Sequence, residues 1–149
     1  MLVVVYRRGG GFLLLRRRSA RFWQSVSGSL EWDEIPLAAA QRELAEETGL
    51  RVASDRLRDE HSRHLFPLPS SVRDRYPRGV THNLEHVFSY EADCDAEVSL
   101  SNEHSAFKWL KTEAALKAAW SWTNRRAIDF ISRREARYGE TILPPRNSD

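Results

Sequence analysis

Apolar residues along this 149-residue chain follow two periods, one typical of strands and one typical of helices. The first apolar run, Leu2–Tyr6, is continuous and rich in valine, which is typical of a strand buried on both faces. Gly9-Gly10-Gly11 then predicts a turn, because glycine tolerates the backbone angles that tight turns need. Residues 51–65 show neither period. The remaining strands are predicted at 12–15, 82–90 and 106–110, and a long proline-punctuated loop at 66–79.

Three helices are predicted from their end signals. Pro36 is favoured in a first helical turn and Gly49 in a left-handed C-terminal cap, so a helix is expected from Pro36 to Glu47. Thr112 and Thr123 are candidate N-caps of two closing helices. Because strands and helices mix along the chain, we expect an α+β fold, an α/β/α sandwich with a mixed sheet between helices. One domain is expected over 1–139, with a tail at 140–149.

Composition excludes several classes of protein. Hydrophobic residues make up 41% of the chain and charged residues 30%, so it can bury a core and is not typical of disorder. A single cysteine, Cys94, excludes intramolecular disulfides and a cysteine-based zinc site. The longest apolar run is too short to span a membrane or to be a signal peptide. We therefore expect a cytoplasmic monomer that does not bind membranes.

The net charge of +2 is the sum of two opposed blocks. Residues 1–30 carry six arginines and no acid, whereas residues 31–60 carry nine acids against four arginines. A basic block beside an acidic block is typical of a site for an anion and a metal, but arginine-rich codon usage explains it equally well, since 20 of the 23 basic residues are arginine. No nucleic-acid-binding motif accompanies the arginines, so no nucleic-acid partner is expected.

Carboxylates on the first predicted helix are the most informative feature. In a helical projection Leu44 lies in the core-facing stripe, Glu43 and Glu47 lie together on its flank, and Glu46 points nearly opposite. Such spacing is unfavourable, because like charges repel and because the C-terminal half of a helix favours cations. A compensating Mg²⁺ or Mn²⁺ would explain it, although a bare pattern of this kind is more often a solvated acidic face.

The surrounding residues favour the metal. Every defined position of the pattern G-x5-E-x7-R-E-U-x-E-E-x-G-U, where U is aliphatic, is matched between Gly28 and Leu50. This pattern is the Nudix box, and the chain resembles Nudix hydrolases, which cleave nucleoside diphosphates linked to another group. The resemblance implies a loop–helix–loop on a mixed sheet and Mg²⁺ as cofactor. It also implies Glu43, Glu47 and Glu46 as metal ligands, with Arg42 and Glu34 orienting them.

Four further segments resemble a bacterial branch of the family that hydrolyses dihydroneopterin triphosphate in folate biosynthesis. They are residues 22–29, 75–81, 103–110 and 120–128. This resemblance implies that Glu103 is a further metal ligand and a candidate general base. It also implies a substrate contact set: Arg16, Ser27, Phe66, Pro67, Leu68, Pro69 and Ser121. Arg17 is an alternative to Arg16 as the phosphate clamp. Phe66, Trp23 and Trp122 are candidates to stack on the substrate ring, and packing in the core or in a lid is the alternative for each.

Other interpretations stay open. The enzyme is expected to act on dATP and other (d)NTPs as well. A housekeeping Nudix hydrolase for another nucleoside polyphosphate and a non-catalytic nucleotide-sensing module are the alternatives.

Asp33 stands where the family usually has glycine and must accept the same loop geometry. The pairs His61/His64 and His82/His86 have metal-like spacings but no third ligand nearby, which favours structural histidines.

Overall fold

The computed structural model describes residues 1–9 and 11–141, in which a mixed β-sheet carries helices on both faces. The strands are β1 (Leu2–Arg7), β2 (Gly11–Arg17), β3 (Trp23–Gln24), β4 (Val26–Ser27), β5 (Leu57–Pro67), β6 (His82–Glu91) and β7 (His104–Leu110). The helices are α1 (Pro36–Thr48), α2 (Thr112–Ala118) and α3 (Trp122–Thr141), with short 3-10 helices at Ser54–Arg56 and Ser70–Arg75. The predicted α/β/α sandwich is confirmed.

The centre of the sheet is the parallel pair of β1 and β6, and the main strand order is β3-β2-β1-β6-β5. β1 pairs with β2 at one end, through Tyr6 and Phe12, and with β4 at its other end, through Leu2 and Ser27. β2 diverges from β1 and pairs with β7 from Phe12 to Arg17. The divergence places β4, and the loop that follows it, beside the start of β1.

Two hydrophobic cores explain the continuous apolar run of β1, because alternate residues of a strand face opposite sides. Val3 packs with Leu44 in the core between the sheet and α1. Leu2 packs with Ile128 in the core between the sheet and the pair α2 and α3. Since all four side chains are essentially buried, α1 is held rigidly against one face of the sheet.

A buried polar network fastens α3 to the other face. The Arg134 guanidinium donates hydrogen bonds to Glu60 and to the Tyr6 hydroxyl, and Ser89 also donates to Glu60. Only 10% of the Arg134 side chain and 2% of the Glu60 side chain are exposed. Burial raises the pKa of Tyr6 to about 12, so the hydroxyl stays protonated.

The structure corrects three predictions about element boundaries. β5 covers most of the region without a clear period and ends at Pro67, so Phe66 and Pro67 lie in a strand and not in the predicted loop. Thr112 is the first helical residue of α2 and not its N-cap. Thr123 lies inside α3, and Ser121 caps that helix by accepting the Asn124 N–H at 3.1 Å. Serine is as effective as threonine in this role.

The end of the chain is described only in part. α3 continues to Thr141, and the rest of the predicted tail, residues 142–149, lies outside the described residues, as does Gly10 of the predicted turn. No helix within residues 1–9 and 11–141 is both long enough and apolar enough to span a membrane.

Candidate active site

The position of α1 decides how its carboxylates are presented. Pro36 starts the helix, and Gly49 ends it with a φ of 74°, its N–H donating to the Ala45 carbonyl. With the core-facing stripe fixed against the sheet, Glu47 is buried and the Glu43 side chain is 15% exposed, whereas that of Glu46 is 59% exposed. This order confirms the helical projection.

Glu43 and Glu47 face a polar cavity of about 370 Å³. Its wall is built from segments that are far apart in the sequence: the first residue, the end of β2, β4 with its following loop, α1, the start of β6, and the loop before β7. The lining residues are Met1, Arg17, Ser27, Gly28, Ser29, Glu43, Glu47, Asn83, Glu85 and Glu103. Three of the four predicted metal ligands and Ser27 therefore share one cavity.

Gly28 lies in direct contact with the first of these carboxylates. A Cβ atom at position 28 would be 1.9 Å from Glu43 Oε1 and 2.1 Å from its Cδ, far inside contact distance. A hydrogen bond from the Met1 amino group to the Gly28 carbonyl, at 2.6 Å, holds this loop in place. Glycine is therefore required here for close approach of the loop to the carboxylate.

Arg42 connects the loop before α1 to the carboxylates on the helix. Its guanidinium donates to both Glu34 oxygens at 2.9 and 2.8 Å, to Glu43 Oε1 at 2.9 Å and to the Ser29 carbonyl at 3.0 Å. The hydrogen bonds from Arg42, with one from the Glu31 N–H, lower the pKa of Glu34 to about 2. Arg42 thus contacts both Glu34 and Glu43, and the orienting role of Arg42 and Glu34 toward metal ligands stays a prediction.

Glu47 is the most buried acid in the cavity. Its Oε2 accepts the Ser27 N–H at 3.3 Å, and its Oε1 lies 3.9 Å from Nε2 of the buried His104. Burial raises the pKa of Glu47 to about 8, against the effect of the Ser27 N–H, and repulsion by Glu43 adds to the rise. Burial also raises the pKa of Glu43, although Arg42 opposes it. A buried and a largely buried carboxylate one helical turn apart fit a hard divalent cation, which prefers oxygen ligands and would offset this cost.

Two arginines at the end of β2 hold the loop that carries Glu103. Arg17 donates to Glu103 Oε2 at 3.1 Å. The backbone N–H of Arg18 donates to the Glu103 carbonyl at 2.8 Å, and its guanidinium donates to the Asn102 and His104 carbonyls at 3.1 and 3.2 Å. Sequence reasoning did not identify Arg18, because only the pairing of β2 with β7 brings it to this loop.

The predicted ligands are not gathered around one point. Across the described part of the chain, no three His, Cys, Asp or Glu side chains lie close enough together to hold a metal ion. Arginines account for this arrangement, since Arg42 contacts Glu43 and Glu46 while Arg17 contacts Glu103. Glu46 is not among the described residues that line the cavity.

Some of the predicted substrate-contact residues line the cavity and others do not. Of the two arginine candidates, Arg17 lines the cavity and Arg16 does not, because neighbouring strand residues point to opposite faces. Ser121 uses its hydroxyl to cap α3, and Leu68 is buried. Neither Ser121 nor any residue of the segment Phe66–Pro69 is among the described residues lining the cavity. Asn83 and Glu85 do line the cavity, although sequence reasoning did not identify them.

Comparison with known proteins identifies the class of enzyme. Residues 1–130 match the model of the NUDIX domain. The chain belongs to the Nudix family and is a Nudix hydrolase, that is, a pyrophosphohydrolase. Members of this family typically use a divalent metal ion and act on small, nucleotide-like substrates.

Similar curated relatives carry names that specify a substrate. Dihydroneopterin triphosphate diphosphatase of Escherichia coli (strain K12) is 38% identical over 133 residues, covering 87% of this chain and 88% of the relative. The enzyme of the same name from Haemophilus influenzae is 33% identical over 138 residues, covering 86% and 83%. The solved structure of the E. coli dihydroneopterin triphosphate pyrophosphohydrolase has a TM-score of 0.79 at 37% identity, covering 89% of this chain and 93% of that one.

Proposed function

We propose that this protein is a Mg²⁺-dependent pyrophosphohydrolase that converts dihydroneopterin triphosphate into dihydroneopterin monophosphate and pyrophosphate, a step in folate biosynthesis. It also accepts dATP and other (d)NTPs. The carrying observation is the 38% identity to the E. coli diphosphatase over 87% of this chain and 88% of that one. The cavity supports the same chemistry, since it combines buried carboxylates with an arginine at one polar surface.

Glu43 and Glu47 hold the Mg²⁺, with Glu103 and Glu46 as further ligands directly or through water; Mn²⁺ is an acceptable substitute. The bound metal supplies positive charge to the polyphosphate and acidity to a water molecule. Arg42 keeps Glu43 oriented through the hydrogen bond at 2.9 Å, and the Ser27 N–H does the same for Glu47. The Glu43 and Glu47 carboxylates are therefore oriented by arginine and backbone contacts before the substrate arrives, whereas Glu103 is still held by Arg17.

Arg17 and Glu103 act on the substrate as a pair. The Arg17 guanidinium is suited to a bidentate contact with phosphate oxygens, for which it exchanges its contact with Glu103. The released Glu103 carboxylate, 63% exposed, accepts a proton from the attacking water. The water oxygen bonds to phosphorus as the bridging P–O bond between the α- and β-phosphoryl groups breaks. One water is consumed, and monophosphate and pyrophosphate leave.

The test is pyrophosphate release by the purified protein in Mg²⁺. The Glu47→Gln variant should lose several orders of magnitude in kcat, because it removes a charged ligand. The matched control is Glu113→Gln on the exposed surface of α2, where Glu113 contacts only Lys117 among the described residues. Unchanged activity in Glu47→Gln would refute the ligand assignment.

A panel of kcat/KM values decides the substrate. Dihydroneopterin triphosphate, dATP and a dinucleoside tetraphosphate should be compared side by side. The last is included because the asymmetrical bis(5'-nucleosyl)-tetraphosphatase of Rattus norvegicus is 31% identical over 97 residues, covering 65% of this chain and 60% of that relative. If either nucleotide exceeds the pterin by about 100-fold, the folate assignment is wrong. Tight nucleotide binding without turnover would instead indicate a sensing module.

A further inference from the structure

The cavity has a second end that the hydrolytic chemistry does not use. β6 contributes Asn83 and Glu85 to the lining of the cavity that Glu43 and Glu47 also line. Only 13% of the Glu85 side chain is exposed. Two residues further along the strand, Val87 packs into the core beside α3, so Glu85 lies on that face of the sheet. Glu85 is therefore a largely buried acid of this cavity on the α3 side of the sheet, whereas α1, which carries Glu43 and Glu47, packs on the opposite side.

A histidine on the neighbouring strand fixes the direction of this carboxylate. His64 of β5 is the register partner of Glu85, and its Nδ1 lies 3.4 Å from Glu85 Oε2. The His64 side chain is 6% exposed, and its ring meets Trp122 edge-on at 5.3 Å between centroids. His64 Nε2 is buried without a hydrogen-bond partner in the described structure, so the ring is held by packing and by Glu85. One oxygen of Glu85 remains for another donor.

The charges in the cavity predict that its two ends, at α1 and at β6, bind different parts of the substrate. Arg17 and the metal ligands favour phosphate at the α1 end. At the β6 end, the Glu85 carboxylate repels phosphate and attracts N–H donors. The Met1 amino group, just before β1, interacts with Glu85 but is already bonded to the Gly28 carbonyl. A triphosphate ester is therefore oriented with its ring toward Glu85. The ring systems of dihydroneopterin triphosphate and dATP share one donor, an exocyclic amino group.

We propose that Glu85, positioned by His64, is a specificity residue that accepts a hydrogen bond from the exocyclic amino group of the substrate ring. The proposal rests on the proposed function for its substrates. It explains why one cavity takes both a pterin and adenine, and it predicts discrimination against rings with an oxo group or hydrogen in place of the amino group. The candidate stacking residues Phe66 and Trp122 lie near His64, in strand register and in space respectively, but neither is among the described residues that line the cavity.

A matched pair of nucleotides tests the proposal. dGTP and dITP differ only in the 2-amino group, so the ratio of their kcat/KM values isolates it. A charge-assisted hydrogen bond should make this ratio about 10–100 for the unmodified protein. In Glu85→Ala the ratio should fall to within about twofold of unity, with Glu85→Gln intermediate because its amide oxygen still accepts. His64→Phe keeps a planar ring but removes the contact to Glu85, and should lower the ratio several-fold.

The controls separate specificity from folding and from catalysis. Both substrates are measured on one preparation, so partial unfolding cancels in the ratio. Glu91→Gln, on the same strand but paired with the surface residue Arg8, should leave the ratio unchanged. A ratio near unity in the unmodified protein, or a ratio that persists in Glu85→Ala, overturns the proposal. So does an equal loss of kcat for both nucleotides, which would place Glu85 in the chemical step.

A binding measurement keeps the two proposals distinguishable. Titration of tryptophan fluorescence with dGMP and dIMP reports ring recognition without turnover. If no triphosphate is hydrolysed but dGMP binds at least about tenfold more tightly than dIMP and Glu85→Ala abolishes the difference, the proposed function fails and this inference stands. If hydrolysis proceeds and the two monophosphates bind equally, the inference fails and the proposed function stands.

Discussion

Replacing Gly28 by alanine should separate activity from stability. Gly28 does not have a positive φ, so alanine is compatible with its backbone. The added Cβ would, however, lie 1.9 Å from Glu43 Oε1 and 2.6 Å from its Cγ. Because carbon contacts settle near 3.5 Å, the Glu43 carboxylate must move by more than about 1 Å.

The expected loss of stability is small, whereas the expected loss of catalytic rate is large. The carboxylate is the end of a flexible side chain, so the fold yields at little cost, about 1 kcal/mol for a weakened hydrogen bond from Arg42. A displacement of about 1 Å at a reacting centre, in contrast, costs about 100-fold in rate. We expect kcat to fall about 100-fold and the affinity for Mg²⁺ to fall with it.

Gly9→Ala is the matched control. Gly9 has a φ of 67°, so alanine there is strained by about 1 kcal/mol, but no atom lies within 4 Å of the added Cβ. Position 9 follows the opposite end of β1 from Met1, more than about 20 Å from the cavity. Both variants should therefore lose similar stability in urea unfolding, while only Gly28→Ala loses activity. Equal kcat values for the two variants would refute the close-approach argument.

Three further changes test other contacts. Arg42→Gln should weaken Mg²⁺ binding by about 10–100-fold, measured by calorimetry, because it frees Glu43 and the loop before α1. Arg18→Gln should lower kcat by about tenfold or more with little change in melting temperature, since it releases the Glu103 loop. Arg134→Met should cost about 3–5 kcal/mol in urea unfolding because the buried Glu60 loses its closest cation and keeps only Ser89 and the more distant Arg58, and the double variant with Glu60→Gln should recover most of it.

One exposed arginine serves as the common control for these variants. Arg51→Gln should change neither metal affinity, kcat nor stability. Metal affinity unchanged in Arg42→Gln would mean that Glu43 is held without its arginine. Full activity in Arg18→Gln would mean that the loop keeps its position unaided, and additive losses in the Arg134 and Glu60 pair would mean that the two side chains do not interact.

The helix at the centre of the site was predictable because its signals are local. Pro36 and Gly49 mark its ends, and the 3.6-residue period orders its carboxylates by burial, as the structure confirms. Asp33 was expected to accept a glycine-like backbone conformation, and its φ is 59°. Each of these inferences needs only neighbouring residues and the geometry of one turn or one helix.

β5 was not predictable for an equally physical reason. It is an edge strand of mostly polar residues, and its pairing with β6 shifts between Asp59 and Ser62. At the shift, His61 has a φ of 50° and its N–H bonds Asp59. The extra residues of such a bulge break the period of two on which strand recognition depends. The pattern of apolar and polar residues therefore did not predict a strand there.

The far side of the cavity could not be inferred from the chain either. Glu85 lines the same cavity as the carboxylates of α1 only because β1 and β6 pair in parallel, so Leu2 lies beside Val87. Likewise, Arg18 reaches the Glu103 loop only through the pairing of β2 with β7. These are long-range contacts, and neither spacing nor charge pattern along the sequence reports them.

The small side chains on the buried face of α1 set the distance between Glu43 and Glu47, the proposed metal ligands, and the rest of the cavity. Ala39 and Ala40 are completely buried between the helix and the sheet. A bulkier residue at either position would lift the helix away from β1 and carry Glu43 and Glu47 away from Gly28. Residues that never meet metal or substrate thus act as spacers for the active site. Catalytic rate in this fold can therefore be tuned from the core, with every ligand unchanged.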